Sequence, residues 1–100
     1  MKKRKIEFKP KEQIAYIPWH AYGDIKHQDV DFGFVTSIKG DTIYCRYWSK
    51  WTPGELRTKS GSEGTPKDML AHHVSIKQEI VDNLFDELGY FLTDRGHYDR

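Results

Sequence analysis

Hydrophobic and polar positions alternate along the first half of the chain with the period of a strand. QIAYI (residues 13–17) is a short apolar run closed by Pro18. FGFVTSI (residues 32–38) and TIYCRYW (residues 42–48) are rich in aromatic and β-branched residues and flank Lys39-Gly40-Asp41, which reads as a hairpin turn. In the second of these runs Ile43, Cys45 and Tyr47 fall on one face, and Tyr44, Arg46 and Trp48 on the other. A long polar connection, SKWTPGELRTKSGSEG, leaves room for a short strand near Glu55 to Thr58. Thr65-Pro66-Lys67-Asp68 then predicts a single helical turn: an N-cap residue, a proline at the first helical position and an acid in the first turn. Residues 71–74 follow as a closing strand.

From Ser75 the period changes. Ile76, Ile80, Leu84 and Leu88 recur every four residues, flanked by Val81 and Phe85, the stripe of an amphipathic helix. Ser75 and Gln78 have the spacing of a capping box, and Gly89 is the expected stop. The stripe suits either the chain's own core or a two-fold seam between copies.

Four or five short strands with one helical turn before the last predict a mainly β domain with α. The order is that of a Src-homology-3-type (SH3-like) barrel, here with a C-terminal amphipathic helix packed on the barrel or on a partner. The expected organisation is a basic arm (1–11), the barrel (12–74), the helix (75–89) and a tail (90–100). At 100 residues this is one domain, and an aromatic content of 14% argues for a folded chain. No apolar run approaches the roughly 20 residues of a membrane span, and the basic start is not followed by the apolar segment of a leader. A single cysteine, Cys45, makes neither an internal disulfide nor a cysteine-based zinc site. Within TIYCRYW it reads as a small core residue, and a reducing cytoplasm is the expected compartment.

The net charge of +1 conceals a gradient. Residues 1–11 carry six basic groups against Glu7, residues 12–78 balance, and residues 79–100 carry six acids against Arg95 and Arg100. A basic arm suits phosphate backbones, and equally a solubilising start.

Two constellations carry candidate chemistry. In RYWSKWTPGELRTK, aromatic and basic side chains interleave, as single-stranded nucleic acid requires: bases stack and cations meet phosphates. The expected contact set is Arg46, Trp48, Lys50, Trp51, Arg57 and Lys59. The same residue types anchor protein interfaces, so the partner is expected to be nucleic acid or a protein. The acidic helix positions Asp82, Asp86 and Glu87 favour a protein, because they repel phosphate. The second constellation is WHAYGDIKHQDVDFG (residues 19–33). A transition metal would use His20 and His27 with Asp24, Asp29 or Asp31, with His20, Asp24 and His27 as the weak candidates; a metal-dependent hydrolase built on this loop is the remote alternative. The seven-residue histidine spacing is not that of a helical zinc pair, and EF-hand spacing is absent. Aspartates that hold turns are the simpler reading, so no metal or cofactor is expected. His72 and His73, adjacent in a strand, face opposite ways and do not chelate together. No nucleophile elbow or phosphate-cradling glycine loop is present, and action by binding rather than chemistry is expected.

The run Tyr16-Ile17-Pro18, His20-Ala21-Tyr22-Gly23-Asp24, His27-Gln28-Asp29, Asp31, Gly33 and Thr36-Ser37 resembles small uncharacterised proteins encoded by bacteriophages and prophages. The resemblance continues through CRYWSK, ELRTKSGSEGTP and MLAHH, to residue 73. It implies a phage origin, a small-barrel fold and a bacterial host cytoplasm, where a defence or replication factor would be a fitting protein partner. It implies no particular ligand.

Overall fold

The computed structural model describes residues 7–57 and 63–94, with side chains through residue 87. Five antiparallel strands, β1 (Gln13–Tyr16), β2 (Asp31–Lys39), β3 (Thr42–Tyr47), β4 (Glu63–Pro66) and β5 (Leu70–His72), form one sheet in the order β4-β3-β2-β1-β5. One helix, α1 (Gln78–Asp94), follows. No helix among the described residues is long and apolar enough to cross a membrane.

The sheet cannot be flat. Strands about 4.8 Å apart would put the edges of a flat five-stranded sheet about 19 Å from each other. Yet β4 and β5, the two edges, are joined by a single 3₁₀ turn, Lys67–Met69, which advances only about 2 Å per residue. The sheet therefore curls. Its concave side gathers Ile14 of β1, Val35 of β2, Ile43, Cys45 and Tyr47 of β3 and Leu70 of β5 into one buried cluster.

The alternation read from TIYCRYW is realised. Ile43, Cys45 and Tyr47 point inward, and Trp48 lies in a second cluster with Phe34 and Val81, against which Ile76, Leu84 and Phe85 pack. The helical stripe packs on the chain's own core through Val81, Leu84 and Phe85, while Ile80 stays exposed. The hairpin turn Gly40-Asp41 has positive φ at Gly40 (64°) but not at Asp41, as a two-residue type II′ turn requires. Between Val35 and Ser37 the register slips by one residue, and the bulged Thr36 donates its hydroxyl to the Tyr44 carbonyl (2.9 Å).

Several boundaries differ from expectation. Residues 7–11 are not a free arm: Phe8 is buried in the inner cluster, and the Lys11 N–H bonds the Val35 carbonyl at 2.8 Å. Among the described residues the short strand expected near Glu55 to Thr58 reduces to one bridge, Trp48 to Leu56, and Thr58 lies outside them. The closing strand is Leu70–His72, and Val74 is exposed where the chain leaves the sheet for the helix. No capping box forms. The Ser75 and Ile76 N–H groups bond Gln13 Oε1 (3.1 Å each), and Gln13 Nε2 donates to the Ile76 carbonyl and to Gln78 Oε1. A buried amide from β1 has taken over the role expected of Ser75 and Gln78, and the helix starts at Gln78. It also runs through Gly89 to Asp94, so residues 90–94 are helix and not tail. A mid-helix glycine costs about 1 kcal/mol relative to alanine, which does not by itself end a helix. Residues 95–100 lie outside the described part.

Cys45 is fully buried, and desolvation pushes its thiol from the ordinary 9.0 up to about 12. The buried Tyr47 phenol is pushed up as well, by desolvation and then by the neighbouring Cys45. Between pH 9 and 12 the unfolded chain loses the thiol proton while the native chain keeps it, so the stability present below pH 9 falls as pH rises. Urea unfolding across this range will show a falling alkaline limb, flattened in Cys45→Ala. A thiol reagent at neutral pH will label Cys45 only at the rate of unfolding.

Candidate interaction site

Two long connections meet at one end of the sheet. The first, residues 17–30, joins β1 to β2; the second begins at Trp48, where β3 ends beside the start of β2. Lys50 of the second donates to the Gln28 carbonyl of the first.

The first loop has its own small core of Ala21 and Val30, with Ile17 and Ile25 packed around them. A 3₁₀ turn, Trp19–Ala21, ends at Tyr22 in the left-handed region (φ 50°), and Gly23 continues there (φ 79°), reversing the chain. Asp24 Oδ1 then accepts the Lys26 N–H (3.0 Å), the aspartate turn expected from sequence. These reversals bury the small aliphatic side chains and leave Trp19 and Tyr22 outside, 77% and 92% exposed. In the second loop the Ser49 N–H bonds the Glu55 carbonyl (2.7 Å), and the tip between them carries Trp51 outward, 91% exposed.

The aromatic-basic face expected from sequence is not assembled. Trp48 is only 3% exposed, held against Phe34 (ring centroids 5.4 Å apart) and Val81. Arg46 is 5% exposed, and burial lowers its pKa. Arg57 is paired: Nη1 lies 3.0 Å from Asp31 Oδ2, and Nη2 bonds both Glu63 oxygens (2.9 and 3.0 Å). Burial alone would lower the Arg57 pKa, but the bonds to Glu63 and Asp31 push it up. Lys50 Nζ lies 3.6 Å from Asp31 Oδ1. Lys59 lies outside the described residues. Of the six expected contact residues, Trp51 keeps an open aromatic surface, and the cations Lys50 and Arg57 are neutralised by Asp31 and Glu63. Alternation assigned Arg46 and Trp48 to the right face, but in Trp48's case the terminal helix covers that face.

Trp19 and Tyr22 were not in the expected set. The signal was present: large aromatics beside Pro18 and Gly23-Asp24 sit in a turn-rich segment that offers few places to bury them. Between the two loops lies a cavity of about 340 Å³, lined by Val30, Phe32, Trp48 and Pro53 together with Asp31 and Lys50. The buried Trp48 Nε1 has no hydrogen-bond partner among the described residues.

The histidine-aspartate constellation does assemble, and of the three acids Asp24, Asp29 and Asp31 it is Asp29 that joins the histidines. His20 Nε2 lies 2.7 Å from Asp29 Oδ2, and the Asp29 N–H bonds His27 Nδ1 (3.0 Å). The two imidazoles meet edge to face at 5.3 Å. The hydrogen bond from His20 holds the Asp29 carboxyl below its ordinary range. Asp24 is engaged in its turn and Asp31 with Arg57, so neither belongs to this group. His72 and His73 face opposite ways, as expected: His72 pairs with Glu12 (3.0 Å) and packs on Phe8, and His73 packs on Phe32. Comparison with known proteins finds no matching family model, no curated relative and no matching solved structure.

Proposed function

We propose that the chain is a binding module without catalytic chemistry, that its curled sheet is an SH3-like barrel, and that its loop end docks on a protein. The barrel reading is supported by the strand order β5-β1-β2-β3-β4 and the single 3₁₀ turn between β4 and β5. The observation that carries the docking reading is the exposure of Trp19, Tyr22 and Trp51 on two loops that share one end of the sheet. Tryptophan and tyrosine are the usual anchors of protein interfaces, because they bury much area with few rotatable bonds. The cavity between the loops offers an apolar recess lined by Val30, Phe32, Trp48 and Pro53. On the expected aromatic-basic face, Lys50 and Arg57 are paired with Asp31 and Glu63, which makes that face a poorer match to a phosphate backbone and the nucleic-acid reading of it the weaker one. The resemblance of residues 15–73 to phage-encoded proteins makes a host bacterial protein the expected partner.

The test is capture from bacterial lysate by the full chain and by the triple variant Trp19→Ala, Tyr22→Ala, Trp51→Ala, with eluates assayed for protein and nucleic acid. Exposed substitutions of this kind change stability by only about 0.5 kcal/mol each, so equal unfolding midpoints will certify the variant. The expected result is a discrete protein retained by the natural chain and lost from the variant. Retention of nucleic acid alone, or equal retention by both chains, overturns the docking reading.

A further inference from the structure

We propose that the loop between β1 and β2 binds a divalent first-row transition ion, Zn²⁺ foremost, through His20, His27 and Asp29. One ligand atom from each of the three lies within 4.8 Å of the other two. Zinc holds nitrogen and oxygen donors at about 2.0–2.2 Å, which puts tetrahedral donor pairs about 3.3 Å apart. The three side chains are therefore within small rotations of a coordination shell. Two imidazoles and a carboxylate form a borderline donor set that suits zinc and its neighbours, whereas Mg²⁺ and Ca²⁺ take oxygen ligands.

The loop is built to bring these residues together. His20 sits in the 3₁₀ turn, and the left-handed residues Tyr22 and Gly23 reverse the chain. The His27 N–H returns to the Asp24 carbonyl (3.0 Å) and the Val30 N–H to the His27 carbonyl (3.1 Å). Ala21 and Val30 anchor both ends of the loop in its small core. His20 and Asp29 are exposed, so ion and water have access, and three protein ligands leave a fourth position for water.

The hydrogen bonds make a specific forecast. In the neutral ring His27 Nδ1 accepts the Asp29 N–H, so Nε2 carries the ring proton. An ion on Nδ1 takes the lone pair that accepts this bond. An ion on Nε2 moves the ring proton to Nδ1, which then cannot accept. Either route breaks the Asp29 N–H bond. At His20 the ion takes the place of the proton between Nε2 and Asp29 Oδ2, and that ring's proton moves to Nδ1. This inference does not depend on the docking reading, and the failure of either leaves the other intact.

The test is titration of the full chain with Zn²⁺ by calorimetry and with Co²⁺ by visible absorption, together with amide NMR. One ion per chain is expected, with a shifted Asp29 amide resonance and a ligand-field band for Co²⁺. His20→Ala and Asp29→Asn will each weaken binding by more than the roughly 10–100-fold typical of outer-shell partners. His72→Ala and His73→Ala will leave it unchanged, because their side chains are engaged elsewhere. No stoichiometric binding, binding that survives His20→Ala, or binding lost with His72→Ala overturns the assignment.

Discussion

Gly33→Ala will lower stability by about 3 kcal/mol or more, and with it the thermal midpoint by roughly 12–24 °C for a domain of this size. Gly33 lies on the central strand β2, paired with Ile14 of β1 and Tyr47 of β3. Its φ is not in the left-handed region, so the demand is for space. A Cβ here would lie 1.9 Å from the Arg46 carbonyl oxygen and 2.8 Å from Tyr47 Cα. Both are backbone atoms, and no rotamer change moves them. The methyl group can be admitted only by separating β3 from β2, beside the point where the Trp48 N–H bonds the Phe32 carbonyl (2.8 Å) and where the inner cluster is filled by Val35 and Tyr47. Chemical denaturation and a melting curve measure the effect. A loss below about 1 kcal/mol would mean that the two strands pass less closely than described.

The second large effect is expected at Gln13. Its amide is buried and makes four hydrogen bonds to the chain just before and at the start of α1: two accepted from the Ser75 and Ile76 N–H groups, two donated to the Ile76 carbonyl and Gln78 Oε1. Both donors and both acceptor positions of the amide are used. Gln13→Leu keeps the bulk and strands three backbone groups, at about 3 kcal/mol after water recovers part of the loss. The effect will be uneven. Hydrogen exchange should show α1 amides losing protection first, with β2 and β3 protected to nearly the global limit of the variant. Equal loss of protection throughout would show that the amide supports the domain as a whole and not the attachment of the helix.

Gln13 also marks where sequence stops being legible. The strands and the helix could be read because hydrophobic period is local: Ile43, Cys45 and Tyr47 had to share a face, and Val81, Leu84 and Phe85 another. Ser75 and Gln78 have the spacing of a local cap, but a glutamine 62 residues earlier in the chain satisfies the Ser75 N–H better than a neighbour does. Alternation placed Arg46 and Trp48 together; it carried no information on what would cover Trp48. The pairing of Arg57 with Asp31 and Glu63 depends on the sheet bringing the start of β2 beside the connection between β3 and β4, and residue types alone read Arg57 as free positive charge. The loop histidines were legible as candidates, but the acid that joins them is Asp29, because Asp24 is the residue whose side chain closes the turn.

The short edges of the curled sheet decide how another molecule can be held. β5 is three residues long and pairs along β1; β4 is four residues long and ends at Pro66, which has no N–H to offer. A visiting polypeptide finds little main chain on which to extend the ladder, and templated stacking of copies is suppressed for the same reason. On the docking reading proposed above, recognition falls to side chains at the loop end, where a change of one residue would alter affinity without disturbing the scaffold.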